Sequence, residues 1–279
     1  MRNYKDTIFA LATKKNKSAI AVFRISGKNC LKITKNTSIK KKLKTKTPVV
    51  CYLTDKDKEK IDQVILTFFK SPKSYTGEDM IEISSHGSIS VINKITETLL
   101  EKSFRLAGPG EFTKRALLNN KLNLIQAETI NDLVNAETEN QRKTAIGNLT
   151  GGLEKYIEDV SKKMSKLLAD VEAIIDFSDE ELPKELLKNI KEQKKNIILL
   201  IKKTIEKSLL SKQIYSGFKV TLIGKPNTGK SSFINYINNK EVSIVTNIPG
   251  TTTDLVTSVL DINGDKFTFI DTAGIRKYK

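Results

Sequence analysis

The residues with the most chemical content are Gly224-Lys225-Pro226-Asn227-Thr228-Gly229-Lys230-Ser231. They fit the pattern G-x-x-x-x-G-K-S/T, set between a predicted strand and a predicted helix. Two glycines let the backbone curl so that successive N–H groups point inward at phosphate oxygens. The helix N-terminus adds the positive end of its dipole. Lys230 supplies a mobile charge for β- and γ-phosphates, and the Ser231 hydroxyl is a hard oxygen ligand for magnesium. Asp271-Thr272-Ala273-Gly274 directly follows the apolar run Phe267–Ile270. A carboxylate there can hold magnesium through water, and a glycine N–H can meet a γ-phosphate. Between them lies Gly250-Thr251-Thr252-Thr253-Asp254, where the Thr252 hydroxyl can complete the magnesium shell. That order is the order of a switch GTPase, although none of these residues reads guanine.

The elements that must position this site form three regions. Residues 1–118 show short β-rich runs at Thr7–Thr13, Ala19–Ile25, Val49–Thr54, Ile61–Phe69 and Met80–Ser84, with a helix over Ile89–Glu101. That is an α+β pattern. Residues from about 112 to 213 are helical almost throughout, with 119–213 as the helical domain. Ile157, Val160, Met164, Leu167, Leu168, Val171, Ile174 and Ile175 repeat at the helical period, and such stripes predict core packing. Gly151-Gly152 and Pro183 punctuate them. Residues 214–279 start afresh as a βα unit: a strand over Phe218–Ile223, a helix over Ser231–Ile237, then strands over Val256–Ile262 and Lys266–Ile270. The expected architecture is an α+β domain, a helical domain, and the N-terminal part of an α/β P-loop G domain.

Composition narrows the chemistry. Cys30 and Cys51 are the only cysteines and His86 the only histidine. A disulfide scaffold, a cysteine-based zinc site and a histidine-rich metal site are excluded. His86 reads as part of a structural turn after Met80–Ser84, with no base or nucleophile near it in the sequence. No apolar run approaches the ~18 residues of a membrane span, and the N-terminus carries no signal-peptide pattern. The net charge of +16 is local: residues 1–50 carry 14 basic and 1 acidic side chain, while residues 51–118 balance at 10 and 10. The excess is densest at Lys40, Lys41, Lys42, Lys44 and Lys46. Such a cluster can meet nucleic-acid phosphate, but no aromatic residues interleave it to stack on bases. It reads first as a solvated lysine-rich loop.

Several blocks together resemble one family. Phe23-Arg24-Ile25-Ser26-Gly27 is similar to its N-terminal R-I-S-G. Ser74-Tyr75-Thr76-Gly77-Glu78-Asp79, Ile81-Glu82-Ile83 and His86-Gly87 resemble its next block. Pro109–Ala116 followed by Asn119-Asn120-Lys121-Leu122, and then Ala173–Leu182, resemble the start and body of its helical domain. The family is MnmE (TrmE), the bacterial tRNA-modification GTPases.

The resemblance implies a folate-binding N-terminal domain that also forms a homodimer, and a helical domain into which a G domain is inserted. It implies a cytoplasmic hydrolase acting on GTP. With the flavoprotein MnmG, in a heterotetramer, such a protein installs an aminomethyl or carboxymethylaminomethyl group at C5 of the wobble uridine of certain tRNAs. The added carbon comes from a tetrahydrofolate derivative (5-formyl- or 5,10-methylene-). Arg24, Glu82 and Lys121 match the positions that contact folate. An arginine and a lysine suit glutamyl carboxylates, and a carboxylate suits the N–H face of a pterin. From their types alone, each is equally a ligand contact or a structural ion pair.

The resemblance places nucleotide contacts at Asn227, Thr228, Gly229, Lys230, Ser231 and Ser232. It adds Thr246, Asn247, Ile248, Pro249, Gly250, Thr251 and Thr252, and then Asp271, Thr272, Ala273 and Gly274. Mg2+ falls to Ser231 and Thr252. K+ falls to Asn227, Thr246, Ile248 and Thr251. Thr253 departs from the family's usual arginine. A complete G domain has about 160 residues, and 63 lie from 217 to 279. The guanine-reading N-K-x-D, the water-orienting glutamate and a terminal C-x-G-K are not among them, so the sequence reads as a fragment, with no catalytic residue to assign and little activity expected of it alone. A ribosome-assembly GTPase without folate chemistry, and a folate-dependent transferase with a vestigial P-loop, are the other readings of these residues.

Overall fold

The computed structural model describes residues 6–176, 184–224, 228–239 and 256–271. The chain divides into two compact units, Met1–Ala127 and Glu128–Lys279.

Alternation of apolar and polar residues builds the first unit. Its strands are β1 (Ile8–Leu11), β2 (Ser18–Ser26), β3 (Pro48–Thr54), β4 (Lys60–Phe69), β5 (Met80–Gly87) and β6 (Arg105–Leu106). They form one sheet in the order β3-β4-β5-β2-β1-β6. β1, β2, β5, β4 and β3 pair antiparallel, and β6 joins β1 in parallel. Period-2 alternation sends Phe23, Ile25, Leu53, Leu66, Ile81 and Ile83 to one face, where all are fully buried. Helix α1 (Ile89–Glu101) covers that face with Ile92, Ile95 and Leu99, and a 3₁₀ helix (Cys30–Asn36) adds Cys30 and Ile33. α1 starts where Ser88 caps it, its hydroxyl accepting from the Val91 N–H at 3.2 Å. Both cysteines are buried free thiols.

The sequence reading found α1 at its observed bounds and the five longer strands to within a few residues. It did not find the 3₁₀ helix or β6. A two-residue strand has no periodicity to read; β6 exists because Arg105 and Ala107 donate to Thr7 and Phe9 carbonyls.

Helix α2 (Glu111–Leu118) closes the unit through a buried charge cluster. Arg115 is 2% exposed, yet it is ringed by carboxylates. Its Nη2 donates to Asp6 Oδ1 at 2.6 Å and Glu111 Oε1 at 3.3 Å. Its Nη1 lies 3.1 Å from Glu78 Oε2 and donates to the Asp6 carbonyl at 2.9 Å. Arg105 closes the ring, reaching Asp6 Oδ2 and Glu111 Oε1, each at 2.6 Å. Two arginines and three carboxylates thus tie the chain start, the 74–79 loop and α2 together.

The second unit contains α4 (Glu139–Leu149), α5 (Gly152–Asp176), α6 (Lys184–Ser216), β7 (Phe218–Leu222), α7 (Lys230–Asn239), β8 (Val256–Ile262) and β9 (Asp265–Asp271). α3 (Leu124–Val134) spans the division between units. β9 lies between β7, to which it is parallel, and β8, to which it is antiparallel. α4 begins with a capping box between Thr138 and Gln141. Its first turn docks on the β8–β9 turn: Asn140 donates to the Gly264 carbonyl at 3.2 Å and to Asp265 Oδ1 at 3.0 Å. Gln141 Nε2 reaches the Ile214 carbonyl at 2.9 Å at the end of α6. The helical segment and the βα segment therefore belong to one compact body.

One expectation is changed. The apolar stripe of α5 predicts core packing, but no residue of α5 is buried. Ile157, Met164, Leu168 and Ile175 are exposed and, apart from Ile175, line an open apolar groove of about 790 Å³ with Ile201 of α6. Periodicity identifies the apolar face of a helix but not what covers it.

Removing one partner from a buried ionic cluster leaves an uncompensated charge, which costs about 3–5 kcal/mol. Arg115→Ala should therefore lower the melting temperature of the first unit by well over ten degrees. Glu111 supplies a pH test. Hydrogen bonds from Arg105 and the Gly108 N–H hold its carboxyl down at about 2, against the opposing effect of burial. A depressed carboxylate stabilises the fold above its unfolded value near 4.5 and loses that contribution as pH falls toward 2. Acid titration of the unfolding free energy should show a loss in that window, and Glu111→Gln should flatten it.

Candidate functional sites

The first site grows from the β2–β5 pairing. Arg24 and Glu82 are direct cross-strand partners, on the face opposite α1. Arg24 Nε and Nη2 both donate to Glu82 Oε1, at 2.9 and 2.7 Å. The two side chains are about a quarter exposed. Because both donors converge on one oxygen, Arg24 Nη1 and Glu82 Oε2 have no hydrogen-bond partner among the described residues. A donor and an acceptor are thus offered side by side.

Two aromatic rings flank this pair. The Arg24 guanidinium lies 5.0 Å from the Tyr75 ring centroid and 5.8 Å from that of Phe112. Such placement favours the cation and holds it in plane. Tyr75 is fixed by a 2.8 Å hydrogen bond between its hydroxyl and that of Thr113 on α2. The charge cluster sets both rings. Arg115 grips Glu78 at the end of the 74–79 loop, and it shares helix α2 with Phe112 and Thr113. Ser26 adds a 2.7 Å hydrogen bond to Glu78 Oε2.

Lys121 follows α2, and its side chain is exposed. It runs across Gly77, which has φ +78°; a Cβ there would meet Lys121 Cγ and Asn119 Cβ at 3.0 Å. Gly77 thus allows both a left-handed turn and the close passage of Lys121. Asn119 pins the same loop by donating to the Thr76 carbonyl at 2.7 Å.

The structure therefore joins Arg24 to Glu82 directly and seats Lys121 on the loop that carries Tyr75. Tyr75, Phe112 and Arg115 were not assigned roles from sequence. Their signal was their position inside the blocks Ser74–Asp79 and Pro109–Ala116. His86, by contrast, is mostly exposed and bonds Asp62 at 2.8 Å through Nδ1, while its backbone N–H donates to the same carboxylate. The contacts are structural, but His86 lies within β5, which runs on to Gly87, and not in a turn after Ser84.

The second site lies at the C-terminal ends of parallel β7 and β9. Leu222 and Asp271 stand opposite one another at those ends. The chain turns after β7 and enters α7 at Lys230. Gly229 has φ +87°, and among the described residues nothing lies within 4 Å of where its Cβ would be. An open cavity of about 590 Å³ is lined by Thr221, Thr228, Gly229, Lys230 and Phe233 among others. Lys230 Nζ bridges the turn by donating to the Gly224 carbonyl at 2.9 Å. A left-handed glycine at the mouth of a helix N-terminus, facing open space beside a lysine, fits an anion such as phosphate.

Asn227, Thr246, Asn247, Ile248, Pro249, Gly250, Thr251, Thr252, Thr272, Ala273 and Gly274 lie outside the described residues, as do the side chains of Ser231 and Asp271. Among the described residues no group of three or more His, Cys, Asp or Glu gathers as a metal site. None of their helices is long and apolar enough to cross a membrane.

Comparison with known proteins accounts for nearly the whole chain. The family described as GTP-binding protein TrmE N-terminus matches residues 7–121, and the MnmE helical domain matches residues 124–273. A protein of Pelagibacter ubique named tRNA modification GTPase MnmE is 42% identical over 275 residues, covering 98% of this chain and 62% of the relative. Proteins of the same name from Anaplasma marginale and Fervidobacterium nodosum are 39% and 42% identical, covering 98% of this chain and 61% and 60% of theirs. The chain spans about three fifths of the length of these relatives.

Gly229 offers a direct test of the second site. A β-branched residue at that φ is strained by about 1–2 kcal/mol and would project into the cavity. Gly229→Val should abolish binding of a fluorescent nucleoside triphosphate while the first unit keeps its own melting transition.

Proposed function

The chain belongs to the MnmE (TrmE) family, and from that premise we propose that it serves a GTP-hydrolysing protein that modifies tRNA in the cytoplasm. The observation that carries this reading is the pairing of two sites in one chain. One offers a free donor and acceptor between aromatic rings; the other is a phosphate-type turn. An assembly GTPase without one-carbon chemistry has no use for the first.

In this reading the first site holds a tetrahydrofolate derivative, 5-formyl- or 5,10-methylene-, which supplies the added carbon when bound. Glu82 Oε2 accepts from the N–H edge of its pterin. Arg24 Nη1 donates to the same ring or to a glutamyl carboxylate, and Lys121 offers a second cation for that tail. Tyr75 and Phe112 supply apolar surface beside a planar ring. Residues 1–118 also form the homodimer, a role supported by exposed Val50 and Ile65 on the face that carries Arg24.

Residues 214–279 contribute the opening part of a G domain, following a helical domain of residues 119–213. Thr228, Gly229 and the α7 N-terminus cradle the phosphates, with Asn227 and Ser232 completing the turn. Lys230 neutralises them. Ser231 and Thr252 would hold Mg2+, and Asp271 would reach it through water. Asn227, Thr246, Ile248 and Thr251 would surround K+, and a monovalent cation there neutralises developing charge as an arginine finger does. The partner in the modification is the flavoprotein MnmG, and the target is C5 of a wobble uridine.

Two measurements test the halves separately. Calorimetric titration with 5-formyltetrahydrofolate should show tight binding by the chain. Arg24→Ala should weaken it by roughly 10–100-fold, the worth of a charged hydrogen bond; equal affinity would refute the assignment. GTP hydrolysis by the intact protein should be faster in potassium than in sodium, and rates indifferent to the alkali cation would remove the K+ site.

A further inference from the structure

The segment from Gly27 to Val50 holds eight lysines and no carboxylate. Its density lies in Lys40, Lys41, Lys42, Lys44 and Lys46, between the 3₁₀ helix and β3. All five are exposed. Nearby Lys56 and Lys94 pair with Glu101 and Asp55. The five make no such pair among the described residues. Their charge is therefore turned outward rather than spent within the fold.

The segment is held in shape. Ile39 and Leu43 turn inward and pack against the sheet core. Thr45 bridges Phe68, the Lys46 N–H donates to the Phe68 carbonyl at 2.7 Å, and the Lys70 N–H donates to Thr45 Oγ1 at 3.1 Å. At its other end Ser38 donates to the Tyr52 carbonyl at 3.0 Å and its hydroxyl accepts from the Tyr52 N–H at 3.0 Å. This last contact covers the outer edge of β3. Exposed lysines commonly guard open strand edges, but here Thr37 and Ser38 already occupy that edge beside Tyr52 and Leu53. At Tyr52 and Leu53 the edge is thus covered without the five lysines.

We propose that this lysine-rich segment is a docking surface for the phosphate backbone of RNA. The proposal rests on the tRNA-modification reading for the choice of RNA and goes beyond it in naming the surface. Seven residues span at most about 25 Å, enough to lie along several consecutive phosphates. A pinned segment meets them at less entropic cost than a loose tail. No aromatic side chain interleaves the lysines, so contact is with phosphate and reads no sequence. An acidic membrane fits less well. Ile39 and Leu43 are committed to the core, and the lysines sit on a loop instead of an amphipathic helix.

The test is the salt dependence of tRNA binding by the whole chain. Binding of an unmodified tRNA transcript would be followed by fluorescence anisotropy between about 50 and 200 mM KCl. Lys40, Lys41, Lys42 and Lys44 would be changed together to Gln. Each lysine–phosphate contact contributes about 0.7–0.9 to the slope of log K against log salt, so the variant's slope should be shallower by about 3. A charge-matched variant, Lys191, Lys194, Lys195 and Lys202 to Gln on α6, should keep nearly the wild-type slope. Circular dichroism would confirm that both variants fold. Equal slopes for the first variant and wild type would overturn the proposal, as would equal losses in the two variants, or binding to anionic vesicles with none to tRNA. A failure of the modification reading is separable, since it would leave lysine-dependent RNA binding intact and remove folate binding.

Discussion

A guanidinium removed from water must bring its counter-charges with it. Arg115 meets this demand with Asp6, Glu78 and Glu111, drawn from three separated parts of the chain. The cost of desolvation is offset only when those groups sit at hydrogen-bond distance. Local structure around the first site is therefore tightly specified. The 74–79 loop cannot drift while Glu78 is held, and α2 cannot rotate while Arg115 is buried. Those two elements carry Tyr75 and Phe112, which flank Arg24. A structural ion cluster thus sets the aromatic surroundings of the Arg24–Glu82 pair, which it does not touch.

The two candidate sites are built in different ways. The first relies on side chains supported by a sheet, where cross-strand register places Arg24 beside Glu82. The second relies on backbone: a turn between β7 and α7, a left-handed glycine and a helix end. The docking of α4 on the β8–β9 turn joins the strands that end at the second site to the helical segment.

Much of this was legible in the sequence for physical reasons. Phe23, Ile25, Ile81 and Ile83 alternate with polar neighbours, so β2 and β5 could be read directly. The helical stretch Ile89–Glu101 matched α1 at both ends, whereas its Ser88 cap emerged only in the structure. The segment Gly224–Ser231 stood out by its glycine and lysine spacing between a strand and a helix. Other features depend on contacts between distant positions. Arg24 and Glu82 are 58 residues apart, and their type fits a ligand contact as readily as an ion pair; only the register shows that they are partners. Nothing in its sequence neighbourhood marks Arg115 as buried, because its partners Asp6 and Glu78 are distant along the chain. β6 is two residues long and exists through its neighbour β1. The stripe of α5 told which face is apolar, and the open groove beside it could not be read from the stripe.

In the proposed folate site, the buried cluster holds Tyr75 and Phe112 in place around the Arg24–Glu82 pair. Arg115→Lys tests it most directly, because it retains the charge and removes the fork that grips Asp6 and Glu78 together. The measurement is the affinity of the folded variant for 5-formyltetrahydrofolate, with near-ultraviolet circular dichroism reporting on Tyr75 and the other aromatics. The account predicts a loss of about tenfold or more, with a changed aromatic signal, although Arg24, Glu82 and Lys121 are all intact. Unchanged affinity in a variant whose loop has shifted would contradict it.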